Sequence, residues 1–227
     1  LGQLGNQMFQ YASLKGIANQ NGYNYCIPNH NEIFEDGLGN RLHIELFKPF
    51  VLENFSDLNV QLIDKDRPVV QEGSFHFNEE LFNNCPDWVC LHGFFQTEKY
   101  FKNIEQEIRE DFRFNDDILI PCKEMMDEFG EPPLSLHIRR GDFLINSANH
   151  HNLGLDYYEK ALAEFPMEVP VLIFSDDPEW CSDQELFADD RFLVAEGNSP
   201  YVDMCLMSLC EGHIIANSSF SWWGAWL

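Results

Sequence analysis

The chain has 227 residues, 44% of them hydrophobic, so it is long enough for one large domain or two small ones with buried cores. Its 38 Asp and Glu against 14 Lys and Arg give a formal net charge of −24, which excludes broad electrostatic binding to nucleic acid or anionic lipid. No apolar run approaches the roughly 20 residues of a membrane-spanning helix, so a soluble protein is expected.

Residues 1–28 predict a glycine-rich turn, a helix and a strand. Glycines 2 and 5 precede Asn6, which is a suitable N-cap, and apolar residues at helical spacing follow. Gly22 predicts the end of this helix, and "YNYCIP" predicts a strand. A further strand is expected upstream of Leu1, so we interpret the chain as truncated at both ends.

Residues 29–87 have no regular pattern and are expected to be irregular α/β structure. "DWVCLHGFF" at 87–95 predicts a buried strand. Thr97 is predicted to cap an amphipathic helix, and a second helix is predicted over 116–129. Two prolines follow in "EPPL", so we place a domain boundary between residues 130 and 131.

Strands and helices alternate after this boundary. The strands are "LSLHIRR", "VPVLIFSDD", "RFLVA" and "HIIANS", each separated from the next by a helical segment. This order predicts a parallel sheet covered on both sides by helices. Ligands of such sheets bind at the carboxyl ends of the strands. Alternation along the first strand places Arg139 and Arg140 on opposite faces.

Polar residues at these strand ends predict an anion site. Arg139, Arg140 and Asp142 follow the first strand, and Asp176 and Asp177 end the second. A guanidinium presents a planar fork of donors that suits phosphate oxygens. The alternative is that both arginines pair with some of the surplus carboxylates in a surface network.

The last strand also ends in a possible anion cradle. "NSS" at 217–219 offers hydroxyls together with the N–H groups of a new helix. We interpret the tryptophans at 222, 223 and 226 as helix packing.

Metal and cysteine chemistry were considered separately. Asp176 and Asp177 could hold Mn²⁺ or Mg²⁺, but a strand-end turn that caps the segment "PEW" is favoured. Seven scattered cysteines without a C-x-x-C pair indicate reduced, buried thiols, which suits a cytosolic setting.

Four motifs in order resemble the α-1,2-fucosyltransferases, the inverting family (glycosyltransferase family 11) that includes bacterial and blood-group H enzymes. They are "LGNQMFQYA", "HIRRGDF", "FSDD" followed by Trp180, and "DMCLMSLCEGHIIANSSFSWWGAWL". The resemblance spans residues 4–227 and is weak over 29–87. The H-x-R-R-x-D element is also similar to one in α-1,6- and protein O-fucosyltransferases.

The resemblance implies an α/β protein with a two-lobed GT-B-type fold and Rossmann-like parallel sheets. Residues 1–130 would form the acceptor-side lobe, and residues 131–227 an incomplete GDP-sugar-binding lobe. The implied reaction moves L-fucose from GDP-β-L-fucose to the 2-hydroxyl of a terminal galactose, in glycan or surface polysaccharide synthesis. The implied partners are GDP-fucose, as a co-substrate, and a galactoside acceptor glycan, with no metal ion, cofactor or nucleic acid. A cytoplasmic location is expected, and peripheral membrane association is left open.

The same resemblance implies the site residues. Arg139, on the donor's diphosphate, and His137 would be the catalytic groups. The implied donor-binding residues are Gly5, Asn6, Arg139, Arg140, Asp142, Asp176, Asn217, Ser218, Ser219 and Phe220. The base for the acceptor hydroxyl is left open between His137 and a carboxylate of the N-terminal lobe.

Two alternatives remain at this point. One keeps the enzyme class and changes the donor to another GDP-sugar such as GDP-mannose. The other is a non-catalytic glycan-binding module that uses its aromatic surface, since 14% of the residues are Phe, Trp or Tyr.

Overall fold

The computed structural model describes residues 2–28, 33–35, 41–52, 59–61, 66–146 and 150–227. The chain divides into two compact units, Leu1–Asn115 and Asp116–Leu227. The boundary predicted from the sequence, at 130/131, comes after the helix Asp116–Asp127, which the structure assigns to the second unit. That helix is held there by packing: Cys122 is fully buried, and its Sγ lies 3.8 Å from the carbonyl oxygen of Val202.

The first unit combines helices with very short strands. In chain order its elements are α1 (Leu4–Asn21), β1 (Cys26–Pro28), β2 (Phe34–Glu35), β3 (Arg41–Leu42), β4 (Asn59–Gln61), β5 (Val69–Gln71), α2 (Glu79–Asn84), β6 (Cys90–His92) and α3 (Glu105–Asp111). Strands β1 and β4 pair in parallel, as do β5 and β6, while β2 and β3 are antiparallel. The buried strand predicted over 87–95 is present only as the three residues of β6, and none of the three is buried, so the prediction of burial was wrong.

Helix α1 begins earlier than its sequence predicts. Gln3, in extended conformation, is the N-cap, and its carbonyl oxygen accepts hydrogen bonds from the backbone N–H groups of Asn6 and Gln7. The prediction that Asn6 caps this helix was wrong, because Asn6 lies in the first turn. The predicted end is confirmed: Gly22 takes the left-handed conformation, with φ of 70°.

A buried carboxylate connects α1 to the end of α3. Asp111 Oδ2 accepts hydrogen bonds from Tyr11 Oη at 2.9 Å and from Lys15 Nζ at 2.6 Å. Burial next to this carboxylate raises the pKa of the Tyr11 hydroxyl, so Tyr11 stays protonated and can donate. Gly16 completes the contact, since a Cβ there would overlap the backbone carbonyl of Tyr100.

The amphipathic segment after Thr97 is not one continuous helix. Thr97 caps a 3₁₀ turn, Glu98–Tyr100, which is followed by a second 3₁₀ turn, Lys102–Ile104, and only then by α3. Tyr100 ends the first turn and Phe101 separates it from the second, and both side chains are buried.

The second unit is built on one four-stranded sheet. In chain order its elements are α4 (Asp116–Asp127), β7 (Leu134–Ile138), α5 (Gly141–Ile145), α6 (Leu155–Leu162), β8 (Val171–Ser175), α7 (Pro178–Ser182), β9 (Phe192–Val194), α8 (Pro200–Ser208), β10 (Gly212–Ile214) and α9 (Ser219–Trp226). The strand order is β10-β7-β8-β9, and every pair is parallel. The predicted parallel sheet is confirmed.

Strand β7 lies inside this sheet and is buried at all five positions. Its residues Leu134, Leu136 and Ile138 join the apolar core. Ser135 and His137 alternate with them, and Ser135 Oγ lies 2.8 Å from Nδ1 of His213 on β10. The predicted alternation is therefore confirmed within the strand.

Helix α9 packs closely on α8. Trp223 is fully buried, and a Cβ at Gly224 would come within 2.8 Å of the Met207 side chain. The tryptophans of α9 serve packing, as the sequence indicated. All seven cysteines are free and five of them are buried. Across the described residues, no helix is both long and apolar enough to cross a bilayer.

The contact at Gly16 leads to a stability prediction. Gly16→Ala should lower the free energy of unfolding by roughly 2 kcal/mol, because the overlap with the Tyr100 backbone outweighs the better helix propensity of alanine. Urea denaturation measures the change. The matched variant Gly73→Ala has no atom within 4 Å of the added Cβ and should change stability by less than about 0.5 kcal/mol. Equal midpoints for the two variants would contradict the assigned contact.

Candidate functional site

The residues that follow β7, β8 and β10 lie at one edge of the second unit's sheet. Because these three strands are parallel neighbours, their carboxyl ends meet there. The edge contains the two arginines after β7, the two aspartates after β8, and the polar turn between β10 and α9. The structure thus brings together the second-unit residues that the sequence selected.

Arg139 contacts two carboxylates. Its Nη2 donates to Asp142 Oδ1 at 2.5 Å, and its Nη1 lies 2.7 Å from Asp176 Oδ2. The Cζ atom lies 5.5 Å from the ring centre of Phe143. The Arg139 side chain is 19% exposed, so it is held at the sheet edge with part of its surface open to solvent.

Arg140 is held by different groups. Its Nε donates to Asp177 Oδ2 at 2.9 Å, and its Cζ lies 3.7 Å from the ring centre of Trp180. Its backbone N–H donates to Asp176 Oδ1 at 2.8 Å. An ion pair combined with a cation–π contact fixes the guanidinium more firmly than either one alone.

The glycine between Arg140 and Asp142 allows Asp176 to approach the backbone. A Cβ at Gly141 would overlap Asp176 Oδ2. Asp177 has a separate function at the start of α7, where its Oδ1 accepts a hydrogen bond from the backbone N–H of Trp180 at 3.3 Å. The favoured interpretation of "FSDD" as a capped turn is confirmed. In the part of the chain that the structure describes, no three His, Cys, Asp or Glu side chains cluster in a way that could hold a metal ion.

The observed site has features of both interpretations of the arginine pair, the anion site and the surface network. The arginines are paired with carboxylates, as the surface-network alternative expects, but the pairs form at the carboxyl ends of the strands. Two guanidinium groups face three carboxylates, Asp142, Asp176 and Asp177. The formal charge of this cluster is therefore −1 while Arg139 keeps both of its partners.

His137 is buried directly behind Arg139. Its ring is 5.7 Å from the ring of Phe220. Burial, reinforced by the positive charge of Arg139, lowers the pKa of His137 to about 3. The imidazole is therefore neutral near pH 7.

The turn between β10 and α9 supplies further polar groups. Asn217 Nδ2 donates to the carbonyl oxygen of His151 at 2.9 Å. Ser218 caps α9, and its Oγ accepts a hydrogen bond from the backbone N–H of Phe220 at 3.3 Å. Ser219 is the first residue of α9. The contact between Phe220 and His137 places this helix start beside the end of β7.

Gly5 and Asn6 belong to the first unit. Gly5 is buried in the first turn of α1, and Asn6 Oδ1 accepts a hydrogen bond from Gln96 Nε2 at 2.7 Å. Their contribution to donor binding stays a prediction.

Three contacts that shape the arginine cluster were not predicted from the sequence. They are the contact of Phe143 with Arg139, the ion pair of Asp177 with Arg140, and the cation–π contact of Trp180 with Arg140. One signal was available for Trp180, because it follows Asp177 by three residues at the start of a short helix and so shares its side of the first turn.

The buried neutral state of His137 predicts how stability depends on pH. The pKa of His137 is about 3 in the folded protein and about 6.5 in the unfolded chain. Below pH 6.5 the imidazole therefore binds a proton in the unfolded chain but stays neutral in the folded protein. The free energy of unfolding should therefore fall as the pH drops. His137→Phe removes this effect. Between pH 6.5 and 4.5 its free energy of unfolding should therefore fall by roughly 2 kcal/mol less than that of the parent protein.

Urea denaturation at both pH values tests this prediction. Burial raises the pKa of Asp203 to about 6, which acts in the opposite direction over this range, but both proteins contain Asp203. The exposed His76→Phe substitution is the matched control. If the free energy of unfolding of His137→Phe fell as much between pH 6.5 and 4.5 as that of the parent, the neutral buried state of His137 would be refuted.

Comparison with known proteins gives the chain its family. The model of Glycosyl transferase family 11 matches residues 1–227. An alpha-1,2-colitosyltransferase of Escherichia coli is 35% identical over the whole chain, which covers 85% of that protein. The O-antigen biosynthesis glycosyltransferase WbnK of Escherichia coli is 37% identical over 65% of the chain and 55% of its own length. Human galactoside alpha-(1,2)-fucosyltransferase 1 is 23% identical, and the chain covers 63% of it.

Solved structures agree on the fold. POFUT1 in complex with GDP superposes with a TM-score of 0.60 at 13% identity, covering 99% of this chain and 91% of that one. NodZ alpha-1,6-fucosyltransferase soaked with GDP-fucose superposes with a TM-score of 0.54 at 14% identity, covering 99% of this chain and 89% of that one. The expected α/β fold of the GT-B type is confirmed. With the family model matched from end to end, the chain belongs to glycosyl transferase family 11.

Proposed function

We propose that this protein transfers L-fucose from GDP-β-L-fucose to the 2-hydroxyl of a terminal galactose, with inversion and without a metal ion. The observation that carries the proposal is the position of Arg139, a partly exposed guanidinium at the meeting point of three strand ends. The names of two relatives, an alpha-1,2-colitosyltransferase and a galactoside alpha-(1,2)-fucosyltransferase, support the linkage.

Local positive charge is what this reaction requires of the protein. The bond between the sugar carbon and the β-phosphate oxygen breaks, and its electron pair leaves with GDP. The acceptor oxygen forms the new bond to carbon and loses its proton. Charge therefore grows on the diphosphate in the transition state, and fixed donors aimed at it lower the barrier.

Arg139 can exchange one partner for a phosphate without losing its position. The Asp142 side chain is 61% exposed, whereas that of Asp176 is 25% exposed. Exposed ion pairs contribute only about 0–1 kcal/mol, and a forked guanidinium–phosphate contact is stronger. In our proposal the diphosphate displaces Asp142, while Asp176 keeps the guanidinium at the strand ends.

Arg140 and Asp176 act as positioning residues in this proposal. Arg140 is occupied by Asp177 and Trp180, so it braces the turn after β7. Asp176 accepts from both arginines, so we propose that it supports the turn after β7 rather than holding the nucleotide. The first-turn N–H groups of α9, beginning at Ser219, add donors beside the end of β7.

His137 also takes a positioning role. Because its ring is buried against Phe220 and is neutral near pH 7, it supports Arg139 from behind without adding a competing positive charge. We therefore propose that His137 positions Arg139 rather than acting as the base for the acceptor hydroxyl.

A different donor sugar is the second candidate. The 35% identity with an alpha-1,2-colitosyltransferase over the whole chain favours colitosyl transfer as the alternative. The arginine cluster would serve any GDP-sugar, because it addresses the diphosphate. Competition between GDP-fucose, GDP-colitose and GDP-mannose in one assay distinguishes these donors.

Arg139→Ala tests the proposed function directly. It should lower kcat/KM with GDP-fucose and a β-galactoside by about 10²–10³-fold, because a fixed donor to the leaving group is lost. Arg139→Lys should recover only part of this, since an ammonium cannot form the forked contact. Release of GDP is the measurement.

Arg191→Ala is the matched control. Arg191 precedes β9 and so lies at the amino ends of the same sheet, where its Nη1 donates to the carbonyl oxygen of Met167. It should retain parental activity. Full activity in Arg139→Ala, or an equal loss in both variants, would refute the role of Arg139.

Metal removal is a separate test. If Arg139 and the start of α9 stabilise the departing GDP, activity should stay within about twofold of its initial value in excess EDTA, because the charge is met by protein groups. Initial rates before and after chelation measure this. A loss that added Mn²⁺ or Mg²⁺ reverses would show that a metal carries the charge instead.

A further inference from the structure

The first unit contains a pocket of about 330 Å³ at the carboxyl ends of β5 and β6. The two strands are parallel, and their last residues, Gln71 and His92, are paired in register. This is the edge at which parallel sheets bind ligands. The volume lies within the roughly 300–1,000 Å³ typical of small-molecule sites.

One wall of the pocket is fixed by a carboxylate. Glu72 Oε2 accepts a hydrogen bond from the backbone N–H of Phe94 at 2.7 Å, and Oε1 accepts one from Phe95 at 3.1 Å. Phe95 has φ of 52°, a conformation that non-glycine residues adopt only when their surroundings impose it. Gln10 Nε2 adds a bond to the carbonyl oxygen of Gly93 at 2.8 Å. Both Glu72 oxygens are therefore used in shaping the turn.

His92 presents a defined hydrogen-bonding group to this pocket. Its Nδ1 lies 2.6 Å from Gln71 Oε1. An amide oxygen can only accept, so this contact assigns the proton to Nδ1. In the neutral ring Nε2 is then an acceptor, suited to a hydroxyl group of a ligand.

Two aromatic rings border the same pocket. The side chain of Phe75 is 72% exposed and that of Phe94 is 36% exposed. An exposed aromatic ring beside a polar cleft offers an apolar face on which a ligand can pack. A pyranose fits such a surface, because it combines an apolar face of C–H groups with a rim of hydroxyls.

We propose that this pocket is the acceptor subsite and binds the terminal β-galactoside. His92 Nε2 accepts a hydrogen bond from a galactose hydroxyl, and the ring of Phe75 packs on the apolar face of the sugar. The identity of the sugar rests on the proposed function; the pocket as a carbohydrate site rests on its own geometry. A neutral ligand also suits this pocket. Both oxygens of Glu72 already accept hydrogen bonds from backbone N–H groups, so the carboxylate does not need a positively charged ligand as its partner.

The experiment uses the whole chain, with methyl β-D-galactoside as the probe. Saturation-transfer NMR gives its dissociation constant, and calorimetry gives that of GDP. Phe75→Ala and His92→Ala should each weaken galactoside binding by about tenfold or more and raise the acceptor KM to match, with GDP affinity unchanged. His92→Gln, which keeps an acceptor, should recover part of the loss.

Trp88→Ala is the matched control. Trp88 is also an exposed aromatic residue, at 68%, but it precedes β6 and so lies at the opposite end of the strand pair. It should leave galactoside binding unchanged. An equal loss in Trp88→Ala, unchanged binding in both pocket variants, or no galactoside binding by the parent would overturn the subsite.

The outcomes separate this inference from the proposed function. Loss of galactoside binding in the pocket variants of a chain that never binds GDP would support the subsite and refute the transferase. Normal acceptor KM in both pocket variants of an active transferase would refute the subsite alone.

Discussion

Asp176 is the group on which the arginine site depends, because it accepts from the side chain of Arg139 and from the backbone of Arg140. These bonds tie the end of β7 to the end of β8, and a Cβ at Gly141 would overlap Asp176 Oδ2 in this position. Asp177 adds a further link between the same strand ends through Nε of Arg140. Asp176 therefore cancels positive charge formally and at the same time holds Arg139 in place.

The excess of carboxylates around the arginines sets how an anion can bind. With Asp142 in place the cluster has a formal charge of −1, so an incoming diphosphate meets no net attraction. In the proposed binding mode Asp142 moves out to water, and Arg139 offers its freed Nη2 to the diphosphate. The neutral state of His137 fits the same arrangement, since a second cation buried directly behind Arg139 would repel it. Selectivity then comes from replacing a weak exposed pair by a stronger forked one.

The sequence predicted the second unit far better than the first, for physical reasons. Strand β7 is buried on both faces and β8 nearly so, and such apolar runs with polar ends are visible in a linear sequence. The first unit relies on strands of two or three residues and on contacts such as Lys15 with Asp111, which no local pattern encodes. The choice of carboxylate by each arginine was also beyond the sequence, because it depends on side-chain direction at the strand ends. The base for the acceptor hydroxyl, left open between His137 and a carboxylate of the N-terminal lobe, stays a prediction; one such carboxylate, Glu72, uses both oxygens to accept from the backbone.

The two units offer different chemistry, and the net charge explains why this is useful. A chain of formal charge −24 repels an anionic donor at distances up to the Debye length, about 8–10 Å at physiological salt, whereas a neutral sugar is unaffected. In the proposed function, recognition of the diphosphate therefore comes from contacts of about 3 Å at Arg139, where screening is weak. In the proposed acceptor subsite, a galactoside would need only the neutral polar groups and aromatic rings of the β5–β6 pocket. On this reasoning Arg139, together with the first-turn N–H groups of α9, determines how well the proposed anionic substrate binds, while the rest of the acidic surface discourages anions that lack the matching fork of oxygens.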